Sequence, residues 1–138
     1  MGLVSVVFNN SNKKYCFNDN GLKLKKNLTV IVDTDKGLQF GKVVQFIKND
    51  NYNDSDFNNV VRISTKKDYL QHLNNLKDAS KAVDICKNII ANNKLNMSIV
   101  DAFYMFDRSQ LVFRFVSEER VDFRNLAKEL GAKLKTRI

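Results

Sequence analysis

The 138-residue sequence has no proline, no tryptophan, one histidine, two cysteines and five glycines. Several of these scarcities close off a class of protein. Cys16 and Cys86 are too far apart for a metal-ligand spacing, and two thiols do not make a disulfide framework. His72 stands alone beside Gln71 on a polar stretch, and no motif supplies the nucleophile or carboxylate that catalysis through it would need. It reads as a surface residue. Gly37-x-x-x-Gly41 falls within a hairpin with no helix behind it, so it is not a phosphate-binding loop. The pairs Asp33-x-Asp35 and Asp54-x-Asp56 lack the remaining ligands of a calcium loop. No apolar run approaches the ~18 residues needed to cross a bilayer. The N-terminus also lacks the basic-then-apolar layout of a signal peptide. The expectation is a reduced, cytoplasmic protein that is not an enzyme, with no membrane insertion, no metal site and no cofactor in this chain.

What is present is the composition of a folded domain: 43% hydrophobic and 28% charged residues. A chain of this length buries roughly two-thirds of its unfolded surface, enough for a core without staples. Lysine and arginine number 23 against 15 acidic residues, a net charge of +8. That balance favours acidic partners such as RNA, DNA or an acidic protein face, and is silent on fold.

The first third reads as β. Leu3–Phe8 is a short apolar run ended by Asn9-Asn10-Ser11-Asn12, and Lys14–Phe17 follows at hairpin distance. Leu28–Val32 is β-branched and returns through Asp33–Gly37 into Leu38–Ile47. Gly37 suits a turn position with φ > 0, and Gly41 inside the strand predicts a bulge or a close backbone approach. Such short strands suggest a small closed or partly closed barrel. Lys48–Asn59 is polar and reads as a loop, and Val60–Ile63 as a further strand. Ser64 or Thr65 can then cap a helix, with Asp68 as a capping-box relative.

From Lys66 to about Asn93 the period changes. Leu70, Leu73, Leu76, Ala79, Ala82, Val83, Ile85, Cys86, Ile89 and Ile90 recur at intervals of three and four, with no glycine or proline to interrupt them. The spacing predicts one long amphipathic helix. Met97–Phe106 and Leu111–Val116 read as a hairpin turning at Asp107–Gln110. Asp122 then reads as an N-cap with Val121 stapling onto Leu126, opening a helix Phe123–Leu130 that ends at Gly131 as its C′ residue. Lys133–Ile138 reads as the start of another strand. The fold class is therefore α+β: a β-barrel-like subdomain over residues 1–64, then a helix-strand-strand-helix layer over 65–138.

Three stretches carry a resemblance: Ala82–Lys87, Leu95–Asp107 and Arg120–Leu130. Val30–Thr34, Gly37–Val43 and Val61–Thr65 with Asp68 extend it over almost the whole chain. Together they resemble the YaaT/RicT family, which carries a PSP-one-type C-terminal domain. The most specific words are the Arg120–Arg124 pentapeptide and Met97–Asp107. The resemblance implies a non-enzymatic bacterial regulatory or adaptor subunit that assembles with YlbF-like and YmcA-like proteins. Such a complex directs ribonuclease Y to transcripts and promotes the sporulation and biofilm phosphorelay. The family is also associated with iron–sulfur clusters held by cysteines. Its members continue past the equivalent of Thr136-Arg137-Ile138 into a glycine-rich, cysteine-bearing segment. This sequence stops there, so the expectation is a truncated core or a short relative, to which the cluster does not carry over.

Two surfaces are candidates for contact. Arg120, Arg124 and Lys128 fall at i, i+4 and i+8 of the last helix, and Lys133, Lys135 and Arg137 add charge behind them. They suit carboxylate or phosphate pairing with a protein partner, or with RNA or DNA through a basic face. The plain alternative is a solvated helix face. The second candidate is the N-terminal half of the long helix, whose apolar residues are available to a partner helix. The aromatics Phe103, Tyr104, Phe106, Phe113, Phe115 and Phe123 read mainly as core, with a base-stacking platform as the alternative.

Overall fold

The computed structural model describes residues 2–8, 12–48, 51–117 and 123–138. It divides into two units, Met1–Leu70 and Gln71–Ile138.

The first unit is a five-stranded antiparallel sheet: β1 (Leu3–Val7), β2 (Tyr15–Asn18), β3 (Thr29–Thr34), β4 (Gly37–Ile47) and β5 (Val60–Ile63), in the order β2-β1-β4-β3-β5. Period-two alternation sends Val4, Val6, Val30, Val32, Val43 and Val60 to one buried cluster with Phe17, against which Phe8, Leu22 and Leu24 pack. Gly41 marks the close approach that the sequence predicts. A Cβ there would stand 2.4 Å from Val6 Cγ1 and 2.8 Å from Phe8 Cε1, so no larger residue fits without moving β1. Gly37 opens β4 at φ 139°, in the region that favours glycine.

The sheet curls until its two edge strands approach, giving a partly closed barrel. Asn18, at the end of β2, bridges to Asn59 just ahead of β5, and its N–H donates to the Asn58 carbonyl at 2.9 Å. Its buried side-chain amide donates to the carbonyls of Asp54 and Phe57, both at 2.9 Å, and to Asn59 Oδ1 at 3.0 Å. Lys48–Asn59, expected as a loop, is therefore clasped to β2 through residues 54–59, and it includes a short 3-10 turn at Asp54–Asp56.

Helix α1 (Lys66–Asn92) begins at a full reciprocal cap. Asp68 N–H donates to Thr65 Oγ1 at 3.2 Å, and Thr65 N–H donates back to Asp68 Oδ2 at 2.8 Å. Arg62 on β5 grips the same carboxylate with both terminal nitrogens. The Arg62 guanidinium, with help from Thr65, lowers the Asp68 carboxyl to about 2 against the opposing effect of burial. One side chain thus joins the last strand of the sheet to the helix that follows.

The second unit runs from α1 into β6 (Ser98–Tyr104), β7 (Leu111–Val116) and α2 (Arg124–Leu134). Its core draws Cys86, Ile89 and Ile90 from α1, Met97 ahead of β6, and Leu126 and Leu130 from α2. Two expectations are corrected here. Gly131 does not end the last helix, which continues to Leu134 and stops at Lys135 in the left-handed region, φ 51°. Lys133 and Leu134 are therefore helical rather than extended. Among the described residues, the expected strand is reduced to one backbone bond, from Leu111 N–H to the Arg137 carbonyl at 2.8 Å. The N-cap and staple assigned to Asp122 and Val121 lie outside the described residues.

Replacing Asp68 with alanine removes the cap and strips Arg62 of its partner. We expect a loss of about 2 kcal/mol in urea unfolding with an unchanged m-value, and about half that for Asp68→Asn, which retains a cap acceptor. Because folding lowers this carboxyl from its ordinary 3.8 to about 2, its contribution is complete above pH ~4 and fades as the pH falls toward 2. Wild type should lose stability over that window, and Asp68→Asn should lose less.

Candidate protein-interaction surface

The buried face of α1 explains which side remains outside. Asp68, Asn75, Ala79, Ala82, Cys86, Ile89 and Ile90 are buried at helical spacing. In the N-terminal half that row is polar or small, and tertiary hydrogen bonds satisfy it. Asn75 Nδ2 donates to the Phe106 carbonyl at 3.1 Å, and Arg108 donates to Asn75 Oδ1 at 3.3 Å and to Asp78 Oδ2 at 2.9 Å. Arg108 also lies 3.7 Å from the centroid of the Tyr104 ring, with its backbone at φ 64°. The β6–β7 turn is thereby fastened to α1 by one arginine, a role that the sequence reading missed. A bare Asp-Arg-Ser-Gln turn gives no sign of it.

The apolar residues of that half lie elsewhere. Leu70, Leu73 and Leu76 are 52%, 42% and 41% exposed, and Tyr69 beside them is 48% exposed. At about 100° per residue the three leucines lie roughly 100–160° around the helix from Asn75. This is an apolar helix face directed at solvent, in the half of the helix that the sequence marks for a partner.

The basic candidates described on α2 do not lie on one face. Arg124 and Lys128 are exposed one turn apart on α2, opposite the side that buries Leu126 and Leu130. Lys133 is exposed too, but it sits about 140–180° around the axis from them. Lys135 and Arg137 are exposed on the tail. Arg120 lies outside the described residues.

The aromatics of the hairpin are half-buried, and Phe113 and Phe115 pack against the core of this unit. Phe113 and Phe115 stack at 6.1 Å between centroids, and Phe123 lies 5.6 Å from Phe115 while remaining 44% exposed. With Leu126, Ala127, Leu130 and Ile138 they line an apolar cavity of about 290 Å³ between β7 and α2.

His72 is half-buried, not a surface residue, and burial holds its imidazole below the ordinary value. Cys86 is fully buried, and burial pushes its thiol up to about 11, away from the thiolate. Cys16 belongs to the first unit and Cys86 to the second. An iron–sulfur cluster takes about four cysteine thiolates, so these residues do not fit one. Among the described residues, no three His, Cys, Asp or Glu side chains are placed to hold a metal ion. No described helix is long and apolar enough to cross a membrane.

Residues 58–138, from the approach to β5 through α2, match the PSP1 C-terminal conserved region. The chain belongs to the PSP1 C-terminal family. Within it, 99% of the chain aligns at 35% identity with stage 0 sporulation protein YaaT of Bacillus subtilis, covering 50% of that protein. This bears out the YaaT/RicT resemblance. Half of the chain aligns at 43% identity with 9% of protein PSP1 of Saccharomyces cerevisiae, and 87% of it at 24% identity with 20% of a Schizosaccharomyces pombe protein. The chain thus spans half the length of YaaT and a fifth or less of the two yeast proteins. No solved structure matches it. The PSP1 region includes the Arg108 turn, the exposed leucines and the β7–α2 cavity.

The two thiols should separate cleanly in a titration with a disulfide reagent at pH 8. Native protein should release about one equivalent from half-buried Cys16, and Cys86 should react only after denaturant is added. Rapid native reaction of both thiols would contradict the buried position of Cys86.

Proposed function

We propose that this PSP1-family chain is a non-enzymatic adaptor in a bacterial regulatory complex of the YaaT type. In this reading it assembles with YlbF-like and YmcA-like proteins, helps direct ribonuclease Y to its transcripts, and acts in the cytoplasm upstream of sporulation and biofilm formation. The similarity to a sporulation protein over 99% of the chain supports the regulatory part. The observation that carries the adaptor part is the solvent-facing row Leu70, Leu73 and Leu76. Three leucines on one helix face suit a second amphipathic helix, which would bury them at about 1.5–3 kcal/mol each if fully covered. Such a surface binds; it does not catalyse.

A second reading, an RNA- or DNA-binding module, draws on exposed Arg124, Lys128, Lys133, Lys135 and Arg137, with Arg120 nearby in sequence. Their spread around α2 favours it less, because a phosphate chain needs its cations along one track.

The decisive experiment mixes the purified chain with purified YlbF-like and YmcA-like proteins and measures association by light scattering after gel filtration. Leu73→Glu/Leu76→Glu should lower affinity at least tenfold with helicity unchanged by circular dichroism. If the wild-type chain leaves both partners free at micromolar concentration, the adaptor reading fails. A gel shift with single-stranded RNA tests the alternative. A face engaging four phosphates should lose about fifty-fold in affinity between 50 and 200 mM salt. No shift at low salt removes that reading.

A further inference from the structure

The β6–β7 ribbon has an edge built to accept another strand. In antiparallel pairing, successive residues turn their N–H and C=O groups alternately toward and away from the neighbouring strand. Gln110 turns its carbonyl inward to the Met105 N–H at 3.0 Å, so by alternation Leu111, Phe113 and Phe115 direct their main-chain groups outward. Leu111 confirms the phase, since its N–H donates at 2.8 Å to the Arg137 carbonyl on the tail. That bond occupies the edge at Leu111 only, and the outward positions at Phe113 and Phe115 lie next along it. Among the described residues, nothing outside the ribbon takes them up.

The surroundings specify what fits. The cavity between β7 and α2, lined by Phe113, Phe115, Phe123, Leu126 and Leu130, lies on the face of the ribbon to which Phe113 and Phe115 project. A strand on this edge would send every second side chain toward that apolar space. Its other side chains would lie on the face of Arg114, where Arg114 pairs with Asp101, and Arg137 is held beside this edge by its carbonyl. Lys135 and Arg137 are exposed, with no carboxylate partner among the described residues. We propose that the β7 edge binds an extended segment of a partner protein, apolar at alternate positions and acidic between them, by strand addition. This surface is separate from the leucine face of α1, and the proposal stands or falls without the adaptor reading.

The test is a calorimetric titration of the full chain with a seven-residue peptide alternating glutamate and valine, blocked at both ends. Binding is expected at roughly 10–100 μM. Two versions N-methylated at every second nitrogen, in opposite frames, probe the main chain. One frame faces β7 and should lose at least tenfold, while the other should bind nearly as wild type. Phe123→Ala, at a half-exposed position that leaves the fold intact, should weaken binding about fivefold. Equal binding of both methylated frames, or no heat at ~1 mM peptide, would overturn the proposal. So would concentration-dependent dimerisation of the chain that the peptide does not displace, because the edge would then serve a second copy.

Discussion

The carboxylate of Asp68 governs how this chain passes from sheet to helix. It is buried, yet it accepts from the Thr65 backbone and from both ends of the Arg62 fork. A buried carboxylate with one of those partners removed would be costly, so strand, cap and helix start stand or fall together. Residues 62, 65 and 68 are close in sequence, which makes the junction quick to form. The helix it launches is the element in which the boundary between the two units falls. In the first unit Asp68 is the buried residue of the helix start, and in the second Asn75 and Ala79 are buried on the same helix.

Along α1 the buried row is Asn75, Ala79 and Ala82, and Leu73 and Leu76 fall outside it, as Leu70 does one turn earlier. Asn75 can be buried because the Phe106 carbonyl accepts its amide hydrogen and Arg108 donates to its oxygen. In the second unit the polar core of one helix half and the apolar exterior of the same half are two consequences of one rotation. Swapping them would bury the leucines but leave the turn carbonyl and the Arg108 guanidinium without their partners. Retaining an apolar stripe in water costs solubility, and a covering surface offsets that cost.

Much of this was legible in the sequence, and what was not has physical reasons. The strands, the long helix and the Thr65–Asp68 cap are local in origin, and alternation, period and spacing revealed them. Gly41 predicts either a bulge or a close approach, and the structure has the close approach, because a glycine inside a strand gives up side-chain packing and persists where a neighbouring strand needs the space. The end of α2 was misread at Gly131, where a glycine is a valid stop signal. The helix nevertheless continues for another turn, held by Leu130 in the core and by partly buried Leu134 beside it. The leucines fit the amphipathic pattern as well as the buried row does, so periodicity alone could not say which stripe faced inward. Arg108 was invisible because its partners lie about thirty residues away and its left-handed backbone is set by the turn.

Net charge looked like the main functional clue, but geometry reduces its reach. On α2, Lys133 points well around the axis from Arg124 and Lys128, so a count of +8 does not describe a single positive face. The second unit instead offers two surfaces that depend on different physics. On α1 the leucines present side-chain area, which selects a partner by shape and hydrophobicity and tolerates changes in register. On β7 the main chain itself is offered, where pairing fixes register strictly because a one-residue slip turns every side chain to the wrong face. A charge near such an edge does not create the site. It chooses among the strands that could pair there, favouring acidic ones, and the basic balance then acts on specificity more than on affinity.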